Sequence, residues 1–311
     1  MRIVDLELAV VGGDVAGAAD ARRRWRRRRG LLLRLRDERG LVGYGEASPL
    51  PGYSPETFGQ ARRALKMWRD GASPLLDLEA PLAEQIRREL AAVDATSPSA
   101  RCAVETALLD LAGRRLERPS WALLSDAATP APVPLAALIT DLETGAALAA
   151  ARRATARGIA TLKVKIGRPG AWHQELALLD RLRRAVGPDV HLRLDANGSL
   201  PPGELADRLA ALADCRPQLV EEPVAGDDLL AVAASPVPLA VDESLRRPSG
   251  WLIVEHLATR RLCRAVVLKP MVLGGSLACL ELARRAAALG VAAVASHLYD
   301  GPVALAAAAH L

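Results

Sequence analysis

The sequence predicts an α/β protein with an N-terminal α+β part followed by a barrel of repeated strand–helix units. Three observations carry this. The chain has 311 residues and is 50% hydrophobic, enough for a large buried core. From residue 133 onward, short apolar runs with β character recur about every 20–30 residues with helical segments between them, which implies parallel strands joined by helical crossovers. At the C-terminal end of nearly every run stands a charged or polar residue, where parallel barrels place their chemistry.

In the first part, residues 1–11 read as a strand. Residues 30–50 (GLLLRLRDERGLVGYGEASPL) read as two strands with a turn at Glu38–Gly40. Helices are expected over 54–70 and 81–93, and a strongly amphipathic one over 98–115 with Ala103, Ala107, Leu108 and Leu111 on one face. The segment 127–134 (AATPAPVP) reads as a linker. The later strands are expected at 133–139, 161–166, 191–195, 218–222, 239–243, 265–269 and 291–296. Helices are expected at 144–157, 172–186, 203–213 and 276–289. Seven such units favour a barrel over an open sheet. The eighth is absent, so the C-terminal end reads as incomplete.

Composition narrows the function classes. The formal net charge of +5 is mildly basic and selects no partner by itself. The four cysteines lie far apart without a CxxC, which suits a reducing cytoplasm. No uncharged apolar run is long enough for a membrane span. Of 41 basic residues only four are lysines: Lys66, Lys163, Lys165 and Lys269. Arginine stays protonated in proteins, whereas lysine is tunable. Lysines retained in an arginine-rich chain are therefore candidates for proton chemistry, and three of the four lie at strand ends.

The strand-end residues are Lys163 and Lys165, Asp195 and Asn197, Glu221 and Glu222, Asp242 and Glu243, Lys269, then Ser296 and His297. Taken singly, each has a structural explanation: an Asp caps a helix, EEP makes a turn, KxK is a solvated face. Jointly, in strand order, they point to a metal. Carboxylates from three adjacent strands repel unless a cation sits among them, and hard oxygen ligands suit Mg²⁺, with Mn²⁺ as a substitute. Lys163 and Lys165 alternate with period two and so face the same way. Neighbouring ammoniums and a divalent cation are expected to lower the lysine pKa toward that of a general base. A cation holding a substrate carboxylate also stabilises the enediolate formed when the α-proton is taken.

The motifs KVK (163–165), LDAN (194–197), EEP (221–223), DES (242–244) and LKP (268–270) resemble the enolase superfamily, in its muconate-lactonizing-enzyme subgroup. The loop GYGEASPLPGYSPET (43–57) is similar to that of its o-succinylbenzoate synthases. The resemblance implies a modified (β/α)7β TIM-type barrel over residues 127–311, with an α+β capping domain over 1–126. It implies Mg²⁺ on Asp195, Glu221 and Asp242, Lys165 as the base with Lys163 as its electrostatic neighbour, and Lys269 across the site. Arg193, Asn197 and Ser296 are implied as substrate contacts. The implied reaction is a syn-dehydration of a cyclohexadiene carboxylate in menaquinone biosynthesis. Sibling activities on the same scaffold are N-acylamino acid racemase, dipeptide epimerase and muconate cycloisomerase. The expected partner is a small carboxylate, with neither nucleic acid nor membrane; oligomeric state is left open. A different class, a non-catalytic anion or nucleic-acid binder, would use the run ARRRWRRRR (21–29). The plainer alternatives for that run are a solvated turn, or a lid loop offering cations to an anionic substrate.

Overall fold

A computed structural model describes residues 1–311 except 16, 17, 19–22, 73, 126–128 and 131. The expected boundary at 126/127 and part of the arginine run lie outside the described residues.

The N-terminal part is an antiparallel sheet in the order β1 (Ile3–Asp14), β2 (Arg27–Asp37), β3 (Val42–Ala47). Four helices follow: α1 (Phe58–Gly71), α2 (Leu82–Ala91), α3 (Pro98–Leu116) and α4 (Ser120–Leu124). The sheet turns at 38–40 as expected, because the Asp37 carboxylate accepts from the amides of Arg39 and Leu41. The first helix begins at Phe58 rather than 54. Thr57 and Gln60 close a reciprocal capping box there, and the Ser54 hydroxyl is used by the Leu50 amide instead.

Helix α3 departs from the amphipathic expectation, since it is buried on most of its circumference. It is wedged between the capping sheet and the barrel, so only a narrow polar strip, with Asp110 and Arg114, faces solvent. Gly43 and Gly45, on one face of β3, let the two backbones meet. A Cβ at Gly45 would overlap the Ala103 carbonyl oxygen, and one at Gly43 would overlap Leu111.

The second part is a curled parallel sheet of seven strands in strict sequence order. Its elements are β4 (Ala136–Ile139), α5 (Thr144–Ala156), β5 (Thr161–Lys165), α6 (Trp172–Val186), β6 (His191–Asp195), α7 (Leu205–Ala213), β7 (Leu219–Glu221), β8 (Leu239–Val241), α8 (Gly250–Thr259), β9 (Cys263–Leu268), α9 (Pro270–Leu273), α10 (Ser276–Ala288), β10 (Ala292–Ala295) and α11 (Pro302–Ala309). Between β7 and β8 only a 3-10 turn, Gly226–Ala231, replaces the crossover helix. The sheet has the modified TIM-barrel form, with β4 and β10 as its edges among the described residues.

Alternation along these strands decides which residues enter the barrel. Leu162, Val164, Leu192, Leu194, Val220, Val241, Val266 and Leu268 join the core shared with the outer helices. The residues between them face inward: Lys163 and Lys165, Arg193 and Asp195, Leu219 and Glu221, Ala240, Ala265. Leu219, Ala240 and Ala265 plug the interior, with Val294 packed on them. Register then aligns Lys165 with Asp195 and Asp195 with Glu221 at one level of the barrel.

Candidate active site

Most of the strand-end residues named from the sequence gather in one region, whereas Glu222 and Glu243 turn to a separate crevice. A cavity of about 520 Å³ is lined by Lys163, Lys165, Arg193, Asn197, Glu221, Lys269 and Ser296, with apolar walls that include Leu50, Val267 and Leu298. Asp195 and Asp242 lie at its base, 0% and 4% exposed. One oxygen each from Asp195, Glu221 and Asp242 lies within 4.8 Å of the others. Three buried carboxylates at that spacing, with lysines crowding the charge, fit a hard divalent cation.

The lysines are arranged around this trio. Lys163 Nζ donates to Glu221 Oε1 and Oε2 at 2.7 and 2.8 Å and lies 2.8 Å from Asp195 Oδ2. Lys165 Nζ donates to Asp195 Oδ2 at 2.8 Å and Asn197 Oδ1 at 2.7 Å. On the far side, Lys269 Nζ donates to Asp242 Oδ2 and, at 2.6 Å, to the Tyr53 hydroxyl. Lys165 and Lys269 thus flank the trio through its two outer strands.

Burial alone would raise the pKa of Asp195, but the ammoniums of Lys163, Lys165 and Lys269 hold it well below the usual carboxylate range. For Glu221, burial and the Asp195 charge win, and it is pushed well up. Lys163 and Lys269 differ from the sequence expectation. Burial lowers them, yet the facing carboxylates outweigh it and hold both above the ordinary lysine value. The expectation of a lowered value counts a divalent cation among those carboxylates, whose charge would offset theirs.

The second carboxylate of EEP is a brace. Glu222 accepts from the Asp242 amide at 2.9 Å, the Ser244 amide at 3.1 Å and the Ser244 hydroxyl, tying the ends of β7 and β8 together. That leaves Glu221 as the inward ligand of the pair. Asn197, in the left-handed region at φ 46, donates to Glu243 at 2.8 Å while receiving Lys165. Arg193 lines the cavity and donates from Nε to Gln218 at 2.6 Å. His297, a strand-end residue, lines the cavity beside Ser296.

Tyr53, on the capping loop 43–57, is a partner of Lys269 that no motif in the sequence marks. The capping loop that carries it is fastened to the barrel by Arg246, which donates to the Tyr53 carbonyl and stacks 4.6 Å from the ring centroid. The N-terminal part therefore closes the cavity with Trp25, Leu50 and Tyr53.

Fold and site together describe a barrel with a buried carboxylate trio able to hold a divalent cation and lysines flanking it. Residues 146–311 match the family model described as enolase C-terminal domain-like, and residues 20–125 match the mandelate racemase / muconate lactonizing enzyme N-terminal domain. The chain belongs to the enolase superfamily, in its mandelate racemase / muconate lactonizing enzyme subgroup. It is 32% identical over 302 residues to an o-succinylbenzoate synthase of Klebsiella pneumoniae, covering 93% of this chain and 80% of that protein. It is 30% identical to a hydrophobic dipeptide epimerase of Enterococcus faecalis over 64% of this chain, and the match spans only about half (54%) of that protein. A solved Enterococcus faecalis dipeptide epimerase, complexed with Mg and the dipeptide L-Leu-L-Tyr, superposes with a TM-score of 0.86 at 24% identity. It covers 100% of this chain and 87% of that one. The relatives divide among synthases, epimerases and muconate cycloisomerases.

Proposed function

We propose that the chain is a Mg²⁺-dependent racemase or epimerase that moves the proton α to the carboxylate of an N-acylated amino acid or dipeptide. The observation that carries this is the pair of lysines flanking the carboxylate trio, Lys165 through Asp195 and Lys269 through Asp242, both opening on one cavity. Proton removal on one face and return on the other needs two acid–bases on opposite sides. Solved epimerases and an N-succinyl Arg/Lys racemase share this fold.

Asp195, Glu221 and Asp242 would hold the cation, which when bound supplies positive charge to the substrate carboxylate and to the negative charge that develops as the α-proton leaves. The residues of the chain do the rest. Lys165 takes the proton, oriented by Asn197 Oδ1. Lys163, anchored on Glu221 and Asp195, holds a fixed positive charge beside Lys165. Lys269, oriented by the Tyr53 hydroxyl, delivers a proton from the other side. Arg193 and Ser296 offer donors to the acyl arm, and the apolar walls keep water from the reacting carbon.

A second reading is favoured by the similarity to o-succinylbenzoate synthase across most of both chains. There Lys165 would both remove the α-proton of 2-succinyl-6-hydroxy-2,4-cyclohexadiene-1-carboxylate and protonate the departing hydroxyl, with Lys269 a fixed cation against the ring.

The test is incubation with Mg²⁺ in D₂O of N-succinyl amino acids, dipeptides and the cyclohexadiene, using wild type, Lys165→Ala and Lys269→Ala. Two-base transfer predicts racemisation with deuterium uptake in the wild type. Each variant loses racemisation but still exchanges the α-proton, without inversion, of the enantiomer that faces the remaining lysine. Turnover of the cyclohexadiene alone would replace the first reading by the second. Full turnover by Lys165→Ala would refute both.

A further inference from the structure

The arginine run contains one residue that behaves unlike its neighbours. Arg24, Arg26, Arg27 and Arg29 are exposed, whereas Arg28 is 7% exposed and points to the other face of β2. Its Nε donates to the Tyr299 carbonyl at 3.0 Å and its Nη1 to the Pro49 carbonyl at 3.1 Å. Nη2 donates to the Ser48 carbonyl and lies 3.5 Å from Asp300 Oδ1. These acceptors belong to two segments at opposite ends of the sequence: the capping loop after β3 and the turn after β10.

Glu46 seals the same junction from β3. It accepts from the Gly301 amide at 2.7 Å and the Ala304 amide at 3.2 Å, at the start of α11, and from the Ser48 hydroxyl. Asp300 in turn accepts from the Leu298 amide at 3.2 Å. Just past each anchored point the chain enters the cavity wall, with Leu50 and Tyr53 on one side and Leu298 and Tyr299 on the other. Trp25 closes the seam, donating to the Pro51 carbonyl at 3.0 Å with its ring centroid 6.5 Å from that of Tyr299. Trp25, Leu50, Met271 and Leu298 form one small buried cluster there.

A guanidinium presents five N–H donors in a rigid planar fork, so four acceptors gathered around it are fixed relative to one another. We infer that Arg28 is a positioning residue: by locking residues 48–50 to residues 298–300 it sets the cavity wall that receives the part of the substrate distal to its reacting carboxylate. Arg28 acts through these two segments and donates to none of the three metal-site carboxylates. The word "distal" rests on the metal-centred reading proposed above; the locking of the two segments does not.

Two variants test this. Arg28→Lys keeps the cation beside Asp300 and loses the fork. Arg28→Met combined with Asp300→Asn removes both charges, avoids leaving Asp300 buried without its cation, and keeps the test available should the first variant fold poorly. In amide hydrogen exchange of the full chain, residues 48–54 and 296–301 are expected to lose protection together, while strands β5 to β9 keep theirs. With the substrate identified above, KM is expected to rise about tenfold or more with kcat held within about twofold. A merely structural role would shrink the active fraction and lower kcat at constant KM. Either that pattern, or protection lost in one segment only or throughout the molecule, overturns the proposal. Absence of turnover by the wild type would refute the proposed function, and the exchange result would still decide the role of Arg28.

Discussion

Glu105 sits at the junction of the two parts and makes a sharp pH prediction. It projects from α3 and is 0% exposed. It accepts from the Ser276 amide and, at 3.1 Å, from the Leu277 amide, so a capping-domain carboxylate caps the barrel helix α10. Burial nevertheless pushes its pKa from the ordinary 4.5 up to about 7, against the pull of those two amides. The fold therefore holds the proton more tightly than the unfolded chain does. The stability this confers is complete below the unfolded value and is lost as pH rises through about 7. At ~1.36 kcal/mol per pH unit the interval amounts to about 3 kcal/mol. With an unfolding entropy of ~2.1 cal/mol/K per residue, that is about 5 °C in Tm for a chain of this length. Glu105→Gln keeps a carbonyl acceptor for the amides and removes the titration. Thermal melts of both proteins at pH 5 to 8, in metal-free buffer, should show the wild type losing about 4 °C relative to the variant as pH rises. A difference that stays flat or grows in favour of the wild type over that range would refute the reasoning.

Gly45→Ala should destabilise by at least the ~1–3 kcal/mol of an overpacked core, because backbone and not a movable side chain opposes the new methyl; a Tm within 1 °C of wild type, on the order of the ~0.5 kcal/mol limit for a tolerated change, would contradict it. Asp242→Asn should weaken Mg²⁺ binding, read by titration calorimetry, by at least about tenfold through loss of a carboxylate ligand. Unchanged affinity would remove Asp242 from the metal site.

The barrel and the gathering of its strand-end residues were legible because both are periodic. Alternation alone sends Lys163, Lys165, Arg193, Asp195 and Glu221 inward, and one functional residue per strand end is a pattern that sequence displays directly. What escaped depends on contacts between distant segments. The burial of α3 on most sides follows from a neighbour supplied by the barrel, and no local periodicity encodes that. Glu222 reads as the twin of Glu221 until Ser244 and the Asp242 amide are seen to claim it. The upward shift of Lys163 and Lys269 required the distances to their carboxylates. Arg28 stood in a run of like residues, and only its acceptors set it apart.

Trp25, the capping loop with Leu50 and Tyr53, and the last turn supply the rim, whereas the carboxylate trio and its flanking amines come from the stretch between residues 163 and 269. The trio and most of the wall around it are thereby written in separate passages of the polypeptide, with Arg193 and Tyr53 joining the two. Substitutions at the rim can redirect which molecule is admitted while the proton-handling apparatus is inherited intact, so a lineage built on this plan can change customers without retooling.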